Sequence, residues 1–206
     1  MTKPSLILAS SSPRRREILD AMGLVFTVQT AAVDETLQQG EAASEMVVRL
    51  AASKATAIAL QEEQVIIGAD TAVVLGDEIF GKPADADDAL RMLSRLSGQT
   101  HQVMTGVAVA SVMGLNTILS VTDVRFREIS TDEARRYWQS GEPEDKAGAY
   151  AIQGRGGVFV EAIMGSYTGV VGLPVFETAR MLHEAGLEVL SAAILSADLP
   201  TPVSGS

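Results

Sequence analysis

The chain has 206 residues, 47% of them hydrophobic, and its 16 Lys and Arg against 26 Asp and Glu give a net charge of −10. That length suits one domain, or one domain of two lobes, with enough burial to need no covalent staple. The absence of Cys excludes a disulfide scaffold, a thiolate nucleophile and Cys-ligated metals; two His nearly exclude a multi-His zinc site, and the acidity gives no long-range pull on nucleic acid or an anionic membrane.

The first predicted element is a buried strand at residues 6–9, a short apolar run. Ser10-Ser11-Ser12 interrupts it, with Ser12 as N-cap and Pro13 as the first residue of a helix reaching Met22 and stopping at Gly23. Residues 25–30 read as a strand and 31–43 as a polar loop carrying Asp34 and Glu35. Ser44 is expected to cap a helix through about residue 61, with Val47, Val48, Leu50, Ala51, Ala55 and Ile58 on one stripe. Residues 65–68 form another buried strand, which places Asp70 just past its carboxyl end. Strands at 72–75 and 78–80 flank a two-residue turn at Gly76-Asp77.

A helix over 85–96 is closed by Gly98, and strands at 99–110 and 117–127 are joined around Gly114-Leu115-Asn116. A helix over 131–139 ends at Gly141, and a glycine-dense stretch covers 142–157. Strands are expected at 158–163 and 168–171, and Pro174 opens a last helix to about residue 185. Residues 191–206, small and Ser- and Pro-containing, read as a frayed tail. Interleaved strands, hairpins and helices predict an α/β fold, a mixed twisted sheet flanked by helices. No apolar run approaches the length of about 18 residues that spans a bilayer, and the first residues lack the long apolar stretch of a signal peptide. The expectation is a mature cytoplasmic protein that binds neither nucleic acid nor a membrane.

Several motifs are missing. There is no GxxxxGK[ST] phosphate loop, no GxSxG elbow, and no second His to complete a zincin after His183-Glu184. Gly154-Arg155-Gly156-Gly157 precedes an apolar strand rather than a helix, so it fails as a dinucleotide fingerprint. His101, in an alternating strand, and His183, near a helix C-terminus, read as structural.

Four segments carry chemistry. Ser10 through Arg16 places three arginines in a helix's first turn, where cations are unfavourable unless an anion joins them; amides, hydroxyls and guanidinium forks there suit phosphate oxygens. The bland alternative is a solvated charge run balanced by Glu17 and Asp20. Asp70, in Gly68-Ala69-Asp70-Thr71, is a hard oxygen ligand that also suits a water-orienting role, or else it caps a turn. Lys82, between Gly81 and Pro83, sits on a stiffened loop, or is an ordinary turn lysine. Residues 142–154 mix charges, glycines and one amide; Gln153 can pair with a base edge, unless the segment is only a connecting loop.

Together these segments resemble the Maf family of nucleoside triphosphate pyrophosphatases. The matching pieces are LILASSSPRRREIL, VDET, VVRLAASKA, IIGADTAVVL, GKP, LSGQTHQVMTGVAV, EPEDKAGAYAIQG and GSYTGVVGLP, in the family's order, across residues 4–186. The resemblance implies a single catalytic domain over 1–190, elongated and two-lobed with a central cleft, as in inosine triphosphate pyrophosphatases. It implies cleavage between the α- and β-phosphates, a homodimer and a divalent cation, Mg²⁺ or Mn²⁺. It casts Asp70 as the catalytic residue, Glu35 and Asp70 as metal ligands, and Arg14, Arg15, Lys54 and Lys82 on the triphosphate with Ser10 nearby. Arg14, Thr71 and Gln153 resemble the branch acting on dTTP and UTP; the 7-methyl-GTP branch carries Trp, Gln and Glu there. A cationic methylated guanine suits an aromatic face and a carboxylate, whereas a neutral amide complements uracil or thymine. Arg16 extends the family's usual arginine pair. The alternatives are the 7-methyl-GTP branch, modified pyrimidine nucleotides as substrates, a nucleotide-binding regulator of cell division and septum formation, and a structural or interaction protein.

Overall fold

The structure is a computed structural model that describes residues 4–30 and 32–190. The expected tail at 191–206 lies outside the described residues. Strand β1 (Ser5–Leu8) pairs in parallel with β2 (Phe26–Val28) and with β3 (Gln64–Leu75). The remaining pairings are antiparallel: β3 with β4 (Glu78–Phe80) and with β5 (Thr100–Ser111), β5 with β6 (Gly114–Phe126), and β6 with β7 (Val160–Met164). Among the described residues this is one seven-stranded mixed sheet in the order β2-β1-β3-β5-β6-β7, with β4 beside β3. The helices are α1 (Pro13–Ala21), α2 (Ala43–Thr56), α3 (Ala86–Leu96), α4 (Thr131–Trp138), α5 (Tyr167–Val171) and α6 (Val175–Glu184). No helix among the described residues is long and apolar enough to cross a membrane.

The long strands β3, β5 and β6 run through the two larger of four apolar clusters among the described residues, and the part built around each is called a lobe below. One core joins β1, α1 and α6 through Leu6, Leu8, Leu19, Val65, Ile67, Leu173 and Met181. The other joins α3, α4 and the far halves of the long strands through Val73, Phe80, Leu93, Phe126, Tyr137 and Phe159. Between them β3 changes neighbour along one edge. Residues 64–67 pair with β1 and 73–75 with β4, while β5 pairs continuously along the opposite edge. Residues 68–72 therefore leave one edge open at mid-strand.

Helix α2 lies across the sheet at close range. A Cβ on Gly68 would stand 2.4 Å from the Ala51 carbonyl oxygen, and one on Gly106 would stand 2.3 Å from that of Val47. Only glycine admits the helix so near, and Ala51, Ala55, Ala108 and Ala110 keep the rest of that layer thin.

Five expectations need correction. Asp70 lies in the middle of the twelve-residue β3, not past a strand end; it reaches solvent because the sheet edge is open there. The N-cap of α2 is Ala42, whose amide is held by Glu45 Oε2 at 3.1 Å, so Ser44 falls inside the helix. That helix stops at Thr56, whose hydroxyl turns back onto the Ala52 carbonyl at 2.9 Å. The β5–β6 turn is Val112-Met113, because Ser111 pairs with Gly114, and Gly114-Leu115-Asn116 belongs to β6. Residues 168–171 are helical: Ser166 Oγ accepts the Gly169 amide at 3.0 Å and caps α5, so capping overrides the β-branched run. By contrast, the Gly76-Asp77 hairpin forms where the pattern placed it, and the helix expected over 85–96 runs from Ala86 to Leu96 with Asp85 as its N-cap.

Candidate active site

The open edge of β3 faces a cleft of about 710 Å³ between the lobes. Ser10, Arg14, Arg15, Glu35, Lys54, Asp70, Thr71, Lys82 and Gln153, the nine positions singled out in the sequence, all line it. Alternation along β3 divides their duties. Ile66, Ala72 and Val74 face α2, and Asp70 shares that face; Val65, Ile67 and Ala69 face α1 and α6, and Thr71 shares theirs.

On the Thr71 side, Arg15 is 9% exposed and joins three segments. Its Nε donates to the Gly172 carbonyl at 2.9 Å, Nη1 to Ser10 Oγ at 3.1 Å and Nη2 to Thr71 Oγ1 at 3.3 Å. Thr71 Oγ1 lies 3.0 Å from Thr105 Oγ1, which donates to the Gly169 carbonyl at 2.8 Å. Among the described residues every acceptor of this guanidinium is neutral, and burial pulls its pKa below the usual value while Asp70 opposes the shift. A buried cation bonded only to neutral oxygens favours an anion arriving beside it. Ser12 stands at the N-cap of α1 but makes no side-chain cap; its amide instead donates to Ser10 Oγ at 3.2 Å. Arg16 points to solvent.

On the α2 side, Lys54 Nζ lies 2.7 Å from Asp70 Oδ1 and 2.7 Å from Glu35 Oε1. The Lys54 hydrogen bond holds the Glu35 carboxyl below its ordinary pKa, with Lys82 and Arg15 adding to the effect against partial burial. Arg49 steadies the loop that carries Glu35, donating to the Thr36 carbonyl at 3.2 Å while gripping Glu41. Asp70 Oδ2 accepts no hydrogen bond among the described residues. Two hard carboxylates facing a cleft are a partial donor set for Mg²⁺ or Mn²⁺. Among the described residues no group of three or more His, Cys, Asp or Glu is placed to hold a metal ion, so further ligands must enter with the cation.

The far wall is the glycine-dense stretch, which folds into 3₁₀ turns at Glu142–Asp145, Ala147–Ala149 and Arg155–Phe159. Asp145 and Lys146 had no role in the sequence reading, although they stand in a motif it quoted. Asp145 pairs with Lys146 and, across the cleft, with Arg14 Nη1 at 3.3 Å. Burial raises its carboxyl, but the two cations outweigh that and leave the pKa depressed. Gln153 is exposed at the cleft on a loop pinned by Glu142, whose Oε2 accepts the Arg155 amide at 2.9 Å and whose Oε1 accepts the Gly156 amide at 3.0 Å. Tyr137 Oη donates to Glu142 Oε1 at 2.7 Å and accepts the Ala151 amide at 3.0 Å. The Gly148 amide donates to the Gly81 carbonyl at 3.0 Å, which sets the exposed Lys82 turn against the same wall.

Among the described residues the lining carries five cations, Arg14, Arg15, Lys54, Lys82 and Lys146, against three carboxylates, Glu35, Asp70 and Asp145. The cleft is thus locally cationic in a chain of net charge −10. His101 and His183 lie outside it; His101 is buried among Phe126 and Tyr150, as a structural histidine should be.

A family model described as Maf-like protein matches residues 5–185. A dTTP/UTP pyrophosphatase of Hahella chejuensis is 50% identical over 190 residues, covering 90% of this chain and 94% of its own length. A dTTP/UTP pyrophosphatase of Chromobacterium violaceum is 52% identical over 190 residues, covering 89% of this chain and 96% of its own. Among solved structures, a nucleoside-triphosphatase / dITP/XTP pyrophosphatase from Mycobacterium abscessus overlays with a TM-score of 0.39 at 11% identity, covering 61% of this chain and 75% of that one.

Proposed function

The chain belongs to the Maf family, and from that membership we propose that it hydrolyses dTTP and UTP to the nucleoside monophosphate and pyrophosphate in the cleft beside Asp70. The observation that carries this reading is convergence. Residues from the β1–α1 segment, α2, β3, the Lys82 turn and the glycine-dense wall meet around one cationic cleft with two carboxylates at its centre.

The chemistry follows from the atoms that are free. Before substrate binds, Lys54 holds Asp70 through Oδ1, and Oδ2, which accepts no hydrogen bond among the described residues, stays open to accept a proton from water. That water attacks in line with the bond between the α- and β-phosphates; the bond breaks, pyrophosphate leaves, and the proton passes to the carboxylate. Arg14, Arg15 and Lys82 hold the phosphate oxygens, with the Ser10 hydroxyl beside Arg15, and their charge stabilises the negative charge that builds on the leaving group. Glu35 and Asp70 would hold a divalent cation, which when bound supplies further charge neutralisation along the triphosphate. Gln153, on its pinned loop, pairs with the pyrimidine edge, while Thr71 and Arg14 shape the approach to it. A cytoplasmic homodimer belongs to the same reading. The exposed Leu115, Leu119 and Val121 of β6, beside α2, are an apolar strip that a second copy would cover.

Purified protein incubated with Mg²⁺ and dTTP, UTP, CTP, GTP, ATP or 7-methyl-GTP tests the proposal, with products separated by ion exchange and Asp70→Asn as the blank. Monophosphate and pyrophosphate from dTTP and UTP are expected. Turnover of 7-methyl-GTP in their place would move the chain to the other branch, and binding without turnover would favour a regulator.

A further inference from the structure

Every carboxylate lining the cleft is already paired with a cation of the protein. Asp145 lies between Arg14 and Lys146, while Glu35 and Asp70 share Lys54. The Lys54 ammonium therefore sits between the only two cleft carboxylates, among the described residues, that could serve a divalent ion together. It is not placed there by chance rotation of a surface chain. Its side chain is 15% exposed, and its helix is seated on Gly68 and Gly106 so closely that neither glycine could carry a Cβ. A divalent ion entering the empty cleft would have to evict this ammonium and would meet the field of Arg15 and Lys82, both of which act on Glu35. Repulsion between a divalent and a univalent cation at such range is large even in a solvated cleft.

We propose that Lys54 keeps divalent cations out of the empty cleft, so that cation and nucleotide bind together rather than the cation first. The proposal rests on the pyrophosphatase reading. A triphosphate brings the negative charge that the cleft lacks and gives Lys54 phosphate oxygens to turn towards. Its departure frees Glu35 and Asp70 for the ion that the phosphates bring. By linkage, nucleotide then raises the affinity for the cation by the same factor as the cation raises that for nucleotide. Lys54 in this account is an internal counter-ion that enforces order of binding, beyond contacting the triphosphate.

The test is Mn²⁺ binding to the nucleotide-free protein, read from the free-ion signal in electron paramagnetic resonance. Wild type is expected to bind Mn²⁺ only at millimolar concentration. Lys54→Met should bind it about tenfold more tightly or better, and Lys54→Arg, which keeps the charge, should stay as weak as wild type. Adding Asp70→Asn to Lys54→Met should abolish the gain. Equal affinity in wild type and Lys54→Met would overturn the proposal, as would a gain that survives Asp70→Asn. Should Lys54→Met fail to fold, wild type still decides: micromolar Mn²⁺ affinity without nucleotide would overturn the idea. Calorimetry of wild type with a dUTP analogue carrying a methylene between the α- and β-phosphates, with Mg²⁺ present, tests the underlying reading separately. Absence of binding there would sink the pyrophosphatase reading, while the nucleotide-free comparison is judged on its own.

Discussion

Asp70, in the cleft lining, offers two oxygens with different duties, Oδ1 bound to Lys54 and Oδ2 without a hydrogen bond among the described residues. Asp70→Asn keeps the shape but replaces a proton acceptor with an amide. Turnover of UTP should fall on the order of 10²-fold or more, with an unchanged unfolding midpoint; near-normal turnover would remove Asp70 from the chemistry. Arg15 differs because its place is also architectural. Its guanidinium donates to Gly172, Ser10 and Thr71 from one planar fork, which a lysine cannot reproduce. Arg15→Lys keeps the charge and loses the reach. It should cost about 1–3 kcal/mol in urea unfolding, the usual result of leaving buried acceptors unpaired, and should raise KM for UTP. An effect on KM without any loss of stability would mean that the three hydrogen bonds are idle.

At the scale of elements, α2 positions Lys54 against Asp70 only because Gly68 and Gly106 let it settle onto the sheet. Gly106→Ala pushes a methyl group into the Val47 backbone, so the helix must lift. A loss of about 1–3 kcal/mol of stability is expected, together with a drop in kcat as Lys54 withdraws; an alanine variant with wild-type kcat would show that the seat is not tight. This seat was not legible in the sequence, where Gly68 read as the end of a strand. What was legible followed from local chemistry. The Gly76-Asp77 hairpin, the helix over 85–96 and the apolar runs of β1 and β3 need only neighbouring residues. The strand expected at 168–171 failed because its apolar run looks the same in a short capped helix, and Ser166 decides between them. Of the nine cleft residues, Ser10, Arg14, Arg15, Asp70, Lys82 and Gln153 were legible as residue types suited to phosphate, base and water, whereas Glu35, Lys54 and Thr71 came only from the resemblance to the Maf family. Asp145 was not, because its meaning lies in Arg14, 131 positions away. Glu142 was missed for the same reason: it looked like surface charge until the chain folded its carboxylate under the Arg155 and Gly156 amides.

The whole molecule repels anions while its cleft attracts them, and the two effects have opposite signs in salt. With a net charge of −10 in control, added salt would screen repulsion and raise kcat/KM for UTP; with the cationic cleft in control, kcat/KM falls. Because the cleft charges lie within a Debye length of the substrate, a fall between low and physiological ionic strength is expected at saturating Mg²⁺. Acid acts on the second lobe through another group. His101 is 1% exposed, lies edge-on to Phe126 and Tyr150, and shares one hydrogen bond, Nε2 to Tyr150 Oη at 2.9 Å. Its Nδ1 has no hydrogen-bond partner among the described residues, and burial lowers its pKa from 6.5 to about 4. The unfolded chain therefore binds this proton below pH 6.5, whereas the folded chain refuses it until about pH 4. Stability is complete above pH 6.5 and is lost as the pH falls through that window. The imidazole accounts for a loss of about 2 kcal/mol between pH 7 and pH 5 in urea unfolding. His101→Phe keeps the ring packing and has no proton to refuse, so its stability should change less over the same interval, whatever its absolute value. Parallel slopes for the two proteins would place the acid sensitivity elsewhere, among carboxylates such as Glu142 and Asp145 that the fold holds ionised.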